Sequence, residues 1–474
     1  MIGEQGGGEY IRPHFNEIRI SDDFGNDRTM FLSGFRGLFK SIDGGFTWFE
    51  VDTYSRSVVG VAVGPSEEGE NPIAVATYAD GAYVSVDGGK NWTSPGSELK
   101  YIRDKTEYYL KGPSREHYIE LLWPRFYDIE YSPDYAEDRT LYITSLHIPT
   151  KVFKIDPGGL SRTELPRSDS GGSLVFSPDF REDGRMFLAT QKGSVYASSD
   201  RGDSFEYVGR VPIPWGHNSI SFLISPEFGS DSTLFFSAHT MKGGIFISVN
   251  GGNDWSSLSE GTPLRSLHII ETALSPHFAV DKTLIAATDK GLFMSESAGS
   301  AWRRVEVTKD GGTDYIEAAA ISPSYEEDGI IIVSVRGKGV YRSGDRGRSF
   351  QPVGDISLML TRANIPRGAS PLIFSPDFSK DGKVYGYGAA GARIYVSTDR
   401  GKNWRIISIP QRKPSLPDRL RDAARLVKAW IPVIIWRTKV FLSKTRPLEE
   451  AGIAIGMFMM VLILFLAAKG LKRR

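Results

Sequence analysis

One octapeptide recurs along the chain with the pattern S-x-D-x-G-x-(T/S/N)-(W/F). It reads SIDGGFTW from Ser41, SVDGGKNW from Ser85, SSDRGDSF from Ser198, SGDRGRSF from Ser343 and STDRGKNW from Ser397. SVNGGNDW from Ser248 and SESAGSAW from Ser295 are weaker copies, and KIDPGGLS from Lys154 is a decayed one. A second motif, S-P-x-(F/Y)-x-x-D, precedes most of these, at Ser132, Ser177, Ser225, Ser275, Ser322 and Ser375. SDDFGND from Ser21 is its first copy, and GPSEEGEN from Gly64 fills the slot in the second repeat. The two motifs keep step, so they belong to one unit of about 50 residues.

Each unit reads as four short strands. In the fourth repeat these are SLVFS, RMFLATQ, SVYASSD and SFEYVG, β-branched or aromatic and bounded by Gly, Pro, Asp or Ser. A four-stranded unit of this length, repeated in series, predicts an all-β fold, a β-propeller with one blade per repeat. Eight blades is the simplest count. Seven follows if the decayed third repeat or the irregular second is not a full blade.

The octapeptide sits where the third strand turns into the fourth. Gly45, Gly89 and Gly202 supply positive φ there. Asp43, Asp87, Asp200, Asp345 and Asp399 are placed to accept backbone N–H bonds and close the turn. Trp48, Trp92, Trp255, Trp302 and Trp404 fill the gap beside the hairpin. These are structural roles and none requires catalysis.

Composition removes several chemistries. The chain has 474 residues and no cysteine, which excludes disulfides, thiolate metal sites and cysteine nucleophiles. Its 7 histidines include no H-x-x-x-H pair, so no metal is expected, and no motif points to a cofactor. With 57 basic and 57 acidic residues the formal charge is zero, which gives no argument for nucleic acid, and no nucleic-acid partner is expected.

The two ends differ. Residues 1–16 carry neither a basic nor an apolar leader segment. The propeller is expected over 17–410, with an insertion at 93–126. Residues 411–450 read as a basic amphipathic juxtamembrane segment, with Arg419, Arg421, Arg425 and Lys428 around Trp430, Ile434 and Trp436. Residues 451–471 read as a transmembrane helix, because Ala451 to Ala468 is uncharged and apolar. This predicts a single-pass membrane protein that meets lipid through its C-terminal helix. Basic residues flank that run equally on both sides, so the positive-inside rule ties. The absence of a leader favours a cytoplasmic body.

The octapeptides resemble the Asp-box, or BNR, repeat of sialidase-type propellers, over about Glu17 to Ser408. The family includes sialidases, xyloglucan-cleaving hydrolases, sortilin-type receptors and photosystem II assembly factors. The resemblance therefore implies a fold and leaves function to the site.

If the strands of a blade are A to D, the two motifs lie together on one face. The B–C and D–A loops gather on the other. The B–C loops are repeatedly basic, with Arg36, Lys192, Lys242, Lys290, Arg336, Lys338 and Arg393. The long D–A excursion carries Tyr108, Tyr109 and Trp123, and a shorter one carries Trp215. These are the candidate partner-binding residues. On strand A, counting by two back from its final Ser places Glu17, Asp128, Glu130 and Glu271 toward the axis. Paired carboxylates are what glycoside hydrolysis uses.

Two functions compete. One is a membrane-anchored, non-catalytic scaffold or receptor that binds a protein or a glycan through the face opposite the octapeptides. The other is a sialidase-like glycoside hydrolase using the axial carboxylates. YIRPHF from Tyr10 departs from the motif sialidases carry near the first strand, and the repeat region is too short for the tandem propellers of xyloglucan-cleaving enzymes.

Overall fold

The computed structural model describes residues 15–409, except 35–36, 54–57, 67–68, 78–80, 97–98, 100–125, 147–148, 167–170, 214–219, 240–243, 355–369 and 389–392. The expected juxtamembrane and transmembrane segments lie outside the described residues. Among the described residues no helix is long and apolar enough to cross a membrane.

The chain forms an eight-bladed β-propeller. Strand A of blades 1 to 8 spans Phe15–Ile20, Val58–Val63, Phe126–Tyr131, Gly172–Phe176, Ile220–Ile224, Ile269–Leu274, Ile316–Ile321 and Leu372–Phe374. Seven blades are four-stranded antiparallel sheets in which consecutive strands pair, and blade 2 has three paired strands. In blade 2 the fourth strand is reduced to one bridge between Val84 and Thr93. The repeated sequence explains the topology. Each unit can bury its two sheet faces only against its neighbours, so the units close into a ring.

Both motifs are self-contained hydrogen-bonded turns. In the A–B loop of blade 4, Ser177 Oγ donates to Asp183 Oδ2 at 2.7 Å and accepts the Asp179 N–H at 3.2 Å. Asp183 Oδ1 accepts the Arg185 N–H at 2.8 Å. Between these bonds lies a one-turn helix, Phe180–Asp183, whose Phe180 is buried between blades. In the C–D turn of blade 7, Asp345 Oδ1 accepts the N–H groups of Arg348 and Ser349 at 3.1 and 2.9 Å. Asp345 Oδ2 takes the Ser349 hydroxyl at 2.6 Å. Ser343 Oγ accepts the Gly347 N–H at 2.9 Å, which locks the other side of the turn. In blade 3 the decayed copy has no such turn. Lys151–Asp156 and Gly159–Glu164 join through the two residues Pro157 and Gly158.

The cores lie between blades. One cluster joins Ile18, Phe24, Leu32 and Trp48 of blade 1 to Tyr385, Tyr387, Ile394 and Val396 of blade 8 and closes the ring. The alternation along strand A also resolves between blades. Ile18 meets the preceding blade, whereas Glu17 meets the following one. The alternate positions also reach beyond the neighbouring blade, since Arg19 of blade 1 donates to Glu130 of blade 3.

Candidate functional site

Strand A carries the carboxylates, and a bulge decides where they point. The A–B register shifts by one residue in blades 1, 2, 3, 6 and 7, always at the same place near the start of strand A. The residue just after this irregularity is Glu17 in blade 1, Asp128 in blade 3 and Glu271 in blade 6. Each accepts a backbone N–H from strand A of the next blade. Glu17 takes Val61 at 3.5 Å, Asp128 takes Leu174 at 2.9 Å and Glu271 takes Ala319 at 3.0 Å. The repeated geometry has a repeated cause, because a bulge re-aims a side chain.

Glu17 and Glu130 share Arg19, whose Nε is 2.6 Å from Glu17 and whose Nη2 donates to Glu130 at 2.5 Å. Asp128 and Glu271 are 4% and 6% exposed. Burial pushes the Glu271 carboxyl up to about 7, against hydrogen bonds from Ser370 and the Ala319 N–H. Burial, with Glu130 beside it, also raises Asp22, at the end of strand A of blade 1. These carboxylates thus join blades through hydrogen bonds.

The bulged residue itself was missed by counting in twos. In blade 7 it is Glu317, which the alternation assigns to the apolar side. The one signal was an acid within an otherwise apolar strand, IEAAAI. Glu317 is 1% exposed, and its Oε1 accepts from Arg336 Nε at 2.8 Å. Its Oε2 is buried with no hydrogen-bond partner. Burial raises the Glu317 carboxyl, and Arg336 opposes the shift. The Arg336 guanidinium lies 3.6 Å from the centroid of the Tyr315 ring. A backbone bond of 2.9 Å from Arg336 N–H to the Tyr315 carbonyl sets this stack.

The expected basic face is partly neutralised. Lys338 Nζ donates to Asp310 and Asp314 at 2.6 and 2.9 Å. Its ammonium, with Thr308 and the Gly312 N–H, holds Asp310 well below the usual carboxylate range. Arg336 pairs with Glu317 as above. Lys192, Lys290 and Arg393 are exposed. Arg36, Lys242, Tyr108, Tyr109, Trp123 and Trp215 lie outside the described residues. Among the described residues no group of three or more His, Cys, Asp or Glu is placed to hold a metal ion.

No family model matches the chain. A xyloglucanase of Hypocrea jecorina is 24% identical over 266 residues, which are 52% of this chain and 30% of that protein. The chain thus matches less than a third of that relative's length. The GH74 xyloglucanase of Xanthomonas campestris is 18% identical, with 73% of this chain and 54% of that one covered at a TM-score of 0.47. YCF48 from Cyanidioschyzon merolae is 14% identical, with 81% and 92% covered at a TM-score of 0.41. At these scores the structural likenesses carry no argument about activity.

Proposed function

We propose that this protein recognises glycans at the face formed by the B–C and D–A loops. The observation that carries this reading is the 24% identity to a xyloglucanase over 52% of the chain. Binding without cleavage is supported by the use of Glu17, Asp128 and Glu271 as acceptors of the next blade's N–H groups. A carboxylate so employed is a poor nucleophile or proton donor. Glycoside hydrolysis is the second reading. The same identity favours it.

We also assign the octapeptide turns to the Asp-box class, on the pattern of Ser343, Asp345 and Gly347. The segment at 451–471 is proposed as a membrane anchor, on its apolar run alone. Strand D of each blade runs toward the B–C and D–A face, so the chain leaves blade 8 there after Arg405–Ser408.

The test is calorimetric titration of the full chain with xyloglucan oligosaccharides, followed by an assay for released reducing ends. Saturable binding without release is the expected result. Release establishes the hydrolase. Absence of both removes the glycan reading and returns the protein-binding scaffold to first place. Protease accessibility of a tagged propeller in wall-stripped cells decides the membrane side.

A further inference from the structure

The C–D turn of blade 5 reads SVNGGNDW from Ser248 and carries asparagine where five other turns carry aspartate. Its partner is exchanged as well. In blades 2 and 8 an asparagine at the seventh position donates to the aspartate at the third, Asn91 Nδ2 to Asp87 Oδ2 at 2.7 Å and Asn403 Nδ2 to Asp399 Oδ2 at 2.6 Å. In blade 5 the direction is reversed, with Asn250 Nδ2 donating to Asp254 Oδ2 at 2.8 Å. Asn250 Oδ1 keeps the acceptor role, taking the Ser248 hydroxyl at 2.9 Å and the Asp254 N–H at 3.0 Å. The next residue is Gly251, and Asn250–Gly251 is the one Asn–Gly step among the 474 residues. A glycine has no Cβ to hinder attack of its nitrogen on the preceding side-chain amide. Packing does not demand glycine there. A Cβ on Gly251 would meet nothing within 4 Å, and Arg201, Arg346 and Arg400 occupy the same position in other turns. Asn250 itself is exposed to solvent.

We propose that Asn250 is a deamidation site gated by the C–D turn of blade 5, and that its product keeps the turn from closing again. The Gly251 nitrogen attacks Asn250 Cγ and gives up its proton. The Cγ–Nδ2 bond breaks, and ammonia leaves with that proton. Water then opens the cyclic imide at either carbonyl, which leaves aspartate or isoaspartate. The closed turn blocks the first step. There the Gly251 N–H is held by the Ser232 carbonyl at 3.0 Å, and three hydrogen bonds fix the Asn250 amide. Once formed, the carboxylate stands where Asn250 Nδ2 stood, against Asp254, so two like charges replace a donor and its acceptor. Isoaspartate also lengthens the backbone of the turn by one methylene. The reaction needs only water and is independent of what the B–C and D–A face binds.

The full chain is incubated at pH 8, folded and in urea, and the peptide containing Asn250 is followed by mass spectrometry. Conversion in urea is expected. Conversion in the fold is expected to be about tenfold slower or more, because the folded rate is the unfolded rate multiplied by the fraction of turns open. Ser248→Ala releases one bond to the amide, so it raises the folded rate and leaves the rate in urea unchanged. Gly251→Arg lowers the rate in urea. Equal rates folded and in urea, or a folded rate unmoved by Ser248→Ala, overturn the gate. No conversion in urea overturns the site. If Ser248→Ala does not fold, the wild-type comparison decides. Asn250→Asp stands in for the product. Repulsion raises the folded carboxyls of such a pair, so its penalty is present at neutral pH and fades as pH falls. Asn250→Asp is therefore expected to melt below the wild type at pH 7 and to approach it at pH 3. Adding Asp254→Asn rebuilds the pairing of blades 2 and 8 and restores melting at pH 7. A single variant as stable as the wild type at pH 7, or a double variant no better than the single, overturns the effect of the product on the turn. If the single variant does not fold, folding of the double supports the proposal and failure of both overturns it.

Discussion

Neighbouring glycine positions in the octapeptide obey different constraints. The fourth position has positive φ throughout, yet Arg201, Ala298, Arg346 and Arg400 occupy it at 53–61°. The fifth is glycine in seven turns, among them Gly45, Gly89, Gly202 and Gly401 at 79–95°. A Cβ on Gly202 would stand 2.8 Å from the Tyr142 ring of the preceding blade, whereas one on Gly251 meets nothing within 4 Å. Gly202→Ala is therefore expected to cost about 2–4 kcal/mol, and Gly251→Ala about 1 kcal/mol or less, by urea denaturation. Glu271 gives a pH prediction at the same scale. Its folded value of about 7 lies above the ordinary 4.5, so the stability it contributes is complete below 4.5 and is lost as pH rises through 7. Glu271→Gln should match the wild type near pH 4.5 and exceed it at pH 8, by up to about 3 kcal/mol. Equal melting temperatures at both pH values would refute the burial argument.

The C–D turn behaves as an element with its own thermodynamics. Asp345 accepts two backbone N–H groups and two hydroxyls, none of which finds a replacement inside the turn if the carboxylate is removed. Asp345→Ala should lower stability by about 1–3 kcal/mol, with the loss confined by hydrogen exchange to blade 7 and its neighbours. In blade 2 the Asn91 backbone N–H, then its side chain and Ser85, hold Asp87 down at about 2. The folded value lies below the ordinary 3.8, so this contribution is intact above 3.8 and disappears as pH falls through 2. Asp87→Asn should therefore flatten the fall in melting temperature between pH 4 and pH 2. These turns were legible in the sequence because every partner lies within eight residues. The bulge on strand A was not, since no residue type marks it and it is set by how strands A and B are staggered.

At the scale of the molecule, blade 1 and blade 8 are each continuous in sequence, and among the described residues side chains make the seam between them. Tyr385 donates its hydroxyl to the Gly44 carbonyl at 3.1 Å, and Tyr387 donates to the Asn16 carbonyl at 2.9 Å. Burial raises both phenols well above their ordinary value. Elsewhere the blades are also stitched by cations, as where Lys154 reaches Asp203 and Arg201 reaches Asp134 and Asp138. Phenylalanine at 385 and 387 together should cost about 1–3 kcal/mol, because each leaves a carbonyl unpaired. Limited proteolysis should then cut first in blades 1 and 8. Cleavage that starts elsewhere would show that the seam is not the weakest join.

The sequence by itself determined the repeat, the four strands of the unit and the two turns, and it left eight blades or seven; the structure shows eight. The repeat, strands and turns rest on hydrogen bonds and packing within one unit, where spacing along the chain fixes what can touch. The tertiary structure alone decided what the strand A carboxylates do. Glu17 and Val61, Asp128 and Leu174, and Glu271 and Ala319 lie far apart in sequence and meet only when the blades are set side by side. The same holds for Glu317, whose position in the bulge brings it to Arg336 and leaves one oxygen unpaired. A period of two describes an isolated strand; inside a ring, the register against neighbouring strands and the packing of adjacent blades choose which side chains meet.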